Sequence, residues 1–252
     1  MAIVTTLLFD FGATLDGPDY WLDRFAAQYR KAEIPIAREA LDPAYQHASV
    51  ATVHAGRVVE RFGFIDLVRM LVGQQVEFLT ARGADPVRAM LGALDSRARH
   101  RLTERITALF VEESTRGMKR SRAVLATLKP RYRIAVVSNW YGNLKRVLAE
   151  AAMSPFIDTV VDSGRLGFEK PDPRMFQTAL ESLGTAPASA AMIGDSLEKD
   201  CAPARALGLK TVWYRPDPAA ANGNSSGDAR GGESISADHI IAALEELATL
   251  EI

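Results

Sequence analysis

The feature that most restricts the fold is a series of short, almost wholly apolar runs in the second half of the chain, separated by helical patterns. Ile134 to Ser138, Thr159 to Val161, Ala190 to Ile193 and Thr211 to Tyr214 read as strands. Arg120 to Leu128, Leu144 to Ala152, Arg174 to Leu183, Pro203 to Leu207 and a last segment from Ala237 to Leu250 read as helices. Strands that are apolar on both sides of the pleat must be covered on both faces, and strict helix–strand alternation supplies that cover. The chain is therefore expected to be an α/β protein with a parallel sheet. One further strand, from Ile3 to Phe9, stands far from the others in sequence and belongs to the same sheet.

Between that first strand and the rest lies a stretch with no strand-like run. Its clearest pattern is Phe64, Leu67, Val68, Leu71, Val72, Gln75, Phe78 and Leu79, which recur at helical spacing and form one apolar stripe. Breaks are expected at Ile34-Pro35, around Gly56, at Arg82 to Pro86, where Asp85 suits an N-cap with proline at the first helical position, and at Thr115-Arg116-Gly117, after which the helix–strand alternation begins. About four helices result, packed by their own stripes into an all-helical bundle. The expected organisation is two modules with a cleft between them: 1–16 together with 116–252, and the helical bundle 17–115.

Composition excludes several functions. With 30 basic and 31 acidic residues among 252 and a net charge of −1, the chain has no electrostatic footprint for nucleic acid or an anionic membrane. The apolar run from Leu7 is broken at Asp10, so neither a signal peptide nor a membrane anchor is expected. A single cysteine, Cys201, rules out an internal disulfide framework and fits a reducing compartment, making cytoplasm the expected location. Pro216 to Gly232, rich in Gly, Ala, Ser and Asn, is expected to be a flexible surface loop.

Polar residues gather where the strands end. Asp10 follows the first strand, Ser138 and Asn139 close the second, Lys170 sits in GFEKPDP beyond the third, and Asp195 follows AAMIG with Asp200 five residues on. Taken alone, Asp10 also suits a turn-capping residue. Parallel sheets bring their strand ends to one crevice, which would gather carboxylates, a hydroxyl and an ammonium. Two carboxylates make a hard oxygen site for Mg²⁺, and a lysine with a serine hydroxyl can hold phosphate oxygens, so the set suits phosphoryl transfer.

In these motifs the chain resembles the haloacid dehalogenase superfamily of aspartate-nucleophile hydrolases, in its helical (C1-type) cap subgroup. Asp10-Phe11-Gly12-Ala13-Thr14 matches the first motif of that family, VVSNW with Ser138 and Asn139 the second, Lys170 within EKPDP the third, and GDSLEKD the fourth. The resemblance implies a Rossmann-like three-layer core with a helical cap inserted after the first motif. It implies Asp10 as nucleophile forming an aspartyl-phosphate, with Lys170 balancing charge on the nucleophile and phosphate. Thr14 would brace the loop, and Ser138 and Asn139 would bind phosphate. The metal ligands for Mg²⁺ would be Asp10, the Gly12 carbonyl and Asp195, while Asp200 would support the metal shell or orient Lys170. A small phosphorylated or anionic substrate follows, with no nucleic acid or membrane partner.

One departure stands out. Phosphatases of the family carry a second aspartate two residues after the nucleophile as general acid and base, and that position here is Gly12. General acid–base assistance is worth about 10²–10⁴-fold, so poor hydrolysis of alkyl esters is expected. Asp16, Asp19, Asp23, His47 and His54 are the nearest substitutes in sequence. Two other readings stay open: an impaired family member that binds a phosphorylated ligand or a protein, and a 2-haloacid dehalogenase, against which the Gly194-Asp195 pair argues. Trp140 and Tyr141 suit either the cleft mouth or loop packing, and Cys201 suits packing.

Overall fold

The computed structural model describes residues 3–216 and 236–252. The low-complexity segment, apart from Pro216, lies outside the described residues. Six parallel strands form one sheet in the order β3-β2-β1-β4-β5-β6. They are β1 (Thr6–Phe9), β2 (Arg133–Ser138), β3 (Thr159–Asp162), β4 (Ala190–Gly194), β5 (Lys210–Tyr214) and β6 (His239–Ile241). β1 lies at the centre, with Phe9 in register with Val136 on one side and Ile193 on the other. The strand that is remote in sequence is thus an interior strand, inserted between β2 and β4.

Alternate residues of each strand serve different layers. Leu7, Phe9, Ile134 and Val136 belong to one apolar cluster, whereas Leu8, Ala135, Val137 and Met192 belong to another with Met175, Phe176, Ala179 and Leu180 of the helix Arg174–Leu183. Both faces are covered, which is why the strands read as continuous apolar runs. The Rossmann-like α/β architecture follows.

Between β1 and β2 the chain forms α1 (Trp21–Lys31), α2 (Arg38–His54), a 3₁₀ turn (Gly56–Arg61), α3 (Phe64–Arg82), α4 (Val87–Gly92) and α5 (Ser96–Leu128). The α3 stripe is buried as expected, with Val76 added and Phe78 only half-buried beside His47. Three details of the sequence reading are corrected. The expected fourth helix is two: α4 ends at Gly92, and Asp95 caps α5 by accepting from the Ala98 amide at 2.6 Å. Asp85 is no cap; its carboxylate pairs with Arg88.

The second correction is that α5 does not break at Thr115-Arg116-Gly117. It runs 33 residues, with Ile106 and Phe110 packed in the helical insertion and Val124, Leu125 and Leu128 reaching the sheet cluster. Gly117 permits contact there rather than ending the helix, since a Cβ would lie 2.4 Å from the Asp16 carbonyl oxygen. The third is the C-terminal segment, where a helix was expected. Ile240 and Ile241 instead pair with Trp213 and Tyr214 as strand β6, and only Leu244–Ala248 turns as a 3₁₀ helix. Asp238 starts that strand by accepting from the Thr211 amide at 2.9 Å, a sheet-edge contact that outweighs helical spacing.

Candidate active site

The centre of the site is the turn leaving β1. Asp10 continues the strand, its amide donating to the Ile193 carbonyl at 2.9 Å, and the residue is only 7% exposed. The chain then folds tightly on itself, with the Phe11 carbonyl accepting from the amides of Thr14, Leu15 and Asp16. Ala13 sits at φ 56, in the left-handed region, and its amide donates to Asp16 Oδ1 at 2.8 Å. Thr14 faces inward, its hydroxyl buried without a partner.

Lys170 is the link between carboxylates. Its Nζ donates to Asp10 Oδ1 at 2.7 Å and to Asp200 Oδ1 at 2.6 Å, and both Lys170 and Asp200 are buried. Burial works against the ammonium, yet the two carboxylates outweigh it and hold the Lys170 pKa above its ordinary range. Asp195, half-buried at the end of β4, completes the cluster, and oxygens of Asp10, Asp195 and Asp200 lie within 4.8 Å of one another. Burial, then the charges of Asp10 and Asp200, push the Asp195 carboxyl well above the usual range. Burial likewise pushes Asp200 up to about 6, against the pull of Lys170.

The cluster can hold a cation. Three carboxylates face one ammonium; burial first, and then like charge from their neighbours, raises the pKa values of Asp195 and Asp200, and a cation among them would offset both. Asp200 is largely committed already, with Oδ1 on Lys170 and Oδ2 accepting from the Ser196 amide at 3.1 Å. Gly194 allows this close approach, because a Cβ there would fall 2.3 Å from Asp200 Oδ2.

Two residues nearby do structural work that sequence reasoning did not assign. Asn139 spends its side chain on Lys170, accepting from the Lys170 amide at 2.7 Å and donating to its carbonyl at 2.9 Å. Trp213 on β5 donates its indole N–H to the Asp195 carbonyl at 2.8 Å. A local signal existed only for Asn139, which directly follows Ser138; nothing near Trp213 in sequence points to Asp195. Ser138 is buried at the end of β2, in register with Asp162 of β3.

Among the described residues no acidic side chain lies within 4 Å of where a Gly12 Cβ would stand. A Cβ there would meet only Trp21 Nε1, at 4.0 Å. Asp16 is fully engaged, accepting from Trp21 Nε1 at 2.6 Å and from Arg24 at 3.0 Å. Asp23 pairs with Arg38, His47 packs beside Phe78, and His54 is exposed. Trp140 is buried edge-on against Phe11 and Trp21, with centroids 4.9 and 5.1 Å away, so it packs the loop. Cys201 is buried as well.

A central parallel sheet, a helical insertion after its first strand, and an aspartate–lysine–aspartate cluster at the strand ends together define a hydrolase built around a buried carboxylate. The chain belongs to the haloacid dehalogenase-like hydrolases, whose family model matches residues 6–208. It is 40% identical over 103 residues to a phosphoserine phosphatase of Thermus thermophilus, a match covering 38% of this chain and 41% of that protein. It is 34% identical over 118 residues to a ribulose-1,5-bisphosphate 5-phosphatase of Halopiger xanaduensis, covering 46% of this chain and 48% of that one. The matches thus span about half the length of these curated relatives or less. Among solved structures a dehalogenase superposes with a TM-score of 0.59 at 20% identity, covering 99% of this chain and 98% of that chain, which supports the fold. No helix among the described residues is long and apolar enough to cross a membrane.

Proposed function

We propose that the chain is a Mg²⁺-dependent phosphatase of a small phosphorylated metabolite that works through an aspartyl-phosphate on Asp10. The observation that carries this reading is the Lys170 ammonium bridging Asp10 and Asp200 at 2.7 and 2.6 Å, with Asp195 in the same cluster. In the first step the Asp10 carboxylate forms a bond to phosphorus while the bond from phosphorus to the leaving oxygen breaks. Water then attacks the acyl phosphate, releasing inorganic phosphate and restoring the carboxylate. Lys170 offsets negative charge on the nucleophile and the transferring group, and Ser138 with Thr14 offers hydroxyls to phosphate.

Asp10, Asp195 and the Gly12 carbonyl would hold Mg²⁺, with Asp200 supporting them through Lys170 and the Ser196 amide. Bound there, Mg²⁺ neutralises phosphate charge that would otherwise repel a carboxylate nucleophile. Asn139 steadies Lys170 in this reading rather than touching phosphate directly. The phosphatases among the relatives support a phosphate substrate; Asp195 argues against the dehalogenase, and the joint presence of Asp10, Thr14, Ser138, Lys170, Asp195 and Asp200 argues against the retired binding module.

We divide the chain into a catalytic core, 1–16 with 116–252, and a C1-type helical cap, 17–115, with the division falling inside α5. Asp10 is too buried to meet substrate until the cap moves. Contacts that release on opening include Asn143 Nδ2 to the Phe62 carbonyl (3.1 Å) and the Phe64 amide to Glu150 Oε2 (2.9 Å). The cytoplasm suits the lone buried thiol of Cys201. The test is Asp10→Asn with p-nitrophenyl phosphate: Mg²⁺-dependent phosphate release disappears, along with any phospho-protein seen by intact mass. Turnover unchanged in that variant would remove Asp10 from the nucleophile's role.

A further inference from the structure

The phosphatase reading leaves unused a buried network centred on Asp16. Its carboxylate accepts from the Ala13 amide (2.8 Å), the Trp21 indole N–H (2.6 Å), Arg24 Nη1 (3.0 Å) and, less closely, Arg24 Nη2 (3.4 Å). Arg24 also donates to Ser114 Oγ at 2.7 Å and to the Asp19 carbonyl at 2.9 Å. Asp16 and Ser114 are fully buried and Arg24 is 2% exposed. A buried ion pair is often no more stabilising than an apolar replacement, so stability alone does not account for it.

Its placement does. The three residues belong to the turn after β1, to α1 and to the middle of α5, the places where the helical insertion leaves and rejoins the sheet-bearing part of the chain. The Ala13 amide that Asp16 holds lies between Gly12 and Thr14, in a left-handed conformation that alanine does not favour. That bond therefore sets the direction of the Gly12 carbonyl and the Thr14 hydroxyl relative to Asp10. The Trp21 indole that Asp16 holds is the group nearest the open space over Gly12. Gly17, at φ 135, and Gly117 let Arg24 and the α5 backbone close on the turn.

We propose that Arg24 is a positioning residue, and that the Arg24–Asp16 pair, footed on Ser114, clamps the nucleophile's turn to both roots of the helical insertion. Its kinetic consequence rests on the phosphatase reading; its structural consequence does not. The experiment compares Arg24→Gln and Arg24→Lys with Val76→Ala and Leu79→Ala in α3, taking as control whichever α3 variant matches their loss of Tm. Amide exchange across Phe11 to Leu15 should quicken at least about tenfold in Arg24→Gln and stay slow in the control. With p-nitrophenyl phosphate and Mg²⁺, kcat should fall about tenfold to hundredfold with KM nearly unchanged, Arg24→Lys losing less than Arg24→Gln, while the control keeps its kcat. Protected exchange in Arg24→Gln, or equal losses in the control, overturns the clamp. If the wild type releases no phosphate, the phosphatase reading fails and the exchange measurement alone decides the clamp.

Discussion

Placing a carboxylate at position 12 is the perturbation that bears most directly on the chemistry. Gly12 is not in the left-handed region, and a Cβ there meets nothing nearer than Trp21 Nε1 at 4.0 Å. The backbone does not require glycine, and the space accepts a side chain. Removing a glycine also restricts the unfolded chain, worth about 0.4–1 kcal/mol toward the folded state. Gly12→Asp should accordingly fold and melt close to wild type. The new carboxylate adds a negative charge to the turn that carries Asp10, next to the Asp10, Asp195 and Asp200 cluster, and like charge raises its pKa toward the range where a general acid works at neutral pH. Turnover of an alkyl phosphate should rise about 10²-fold, equivalent to about 2.7 kcal/mol of transition-state stabilisation. p-Nitrophenyl phosphate should gain less, because nitrophenolate departs without a proton. The assay is the ratio of kcat/KM for the two substrates at saturating Mg²⁺. A folded Gly12→Asp protein with an unchanged ratio refutes the argument that a missing acid limits alkyl esters.

Further outcomes follow from the same geometry. Lys170→Met leaves Asp10 and Asp200 buried without their cation; loss of about 3–5 kcal/mol in chemical denaturation is expected, with turnover lost as well. The carboxyl groups of Asp195 and Asp200 are both raised, Asp200 to about 6, so the metal-free fold favours their protonated forms. The stability they contribute is present at low pH and is lost as pH rises through about 6. Mg²⁺ binds the ionised forms, so its elevation of Tm should be larger near pH ~7.5 than near pH ~5; equal elevations would contradict the assignment of the metal ligands. Gly117→Ala drives a Cβ to 2.4 Å from the Asp16 carbonyl and should cost about 1–3 kcal/mol despite alanine's better helix propensity, as read by urea melts.

The fold class was legible because the strands of a doubly covered sheet must be apolar on both faces, and that leaves a mark in any one strand. Asp10, Ser138, Lys170 and Asp195 could be singled out for a related reason: each ends a strand, follows one directly or lies in the loop after one. The C-terminal segment was misread because three residues of strand have no periodicity of their own. Ile240 and Ile241 are strand only because β5 presents an unpaired edge beside them. The break at Gly117 was misread because glycine at a close contact and glycine at a helix end look alike until the partner, here the Asp16 carbonyl, is in place.

By itself the sequence determined the alternation, a carboxylate at the first strand's end, and the glycine two residues later. Those depend on local pattern and residue type. Only the tertiary structure decided that β1 takes the centre of the sheet, that Asn139 serves Lys170, that Trp213 steadies Asp195, and that Asp16 is bound to Trp21 and to Arg24, which in turn donates to Ser114. Each of these rests on hydrogen bonds between segments distant in the chain or turned back on it, and the partner a polar side chain finds depends on which elements the packed core brings within about 3 Å of it.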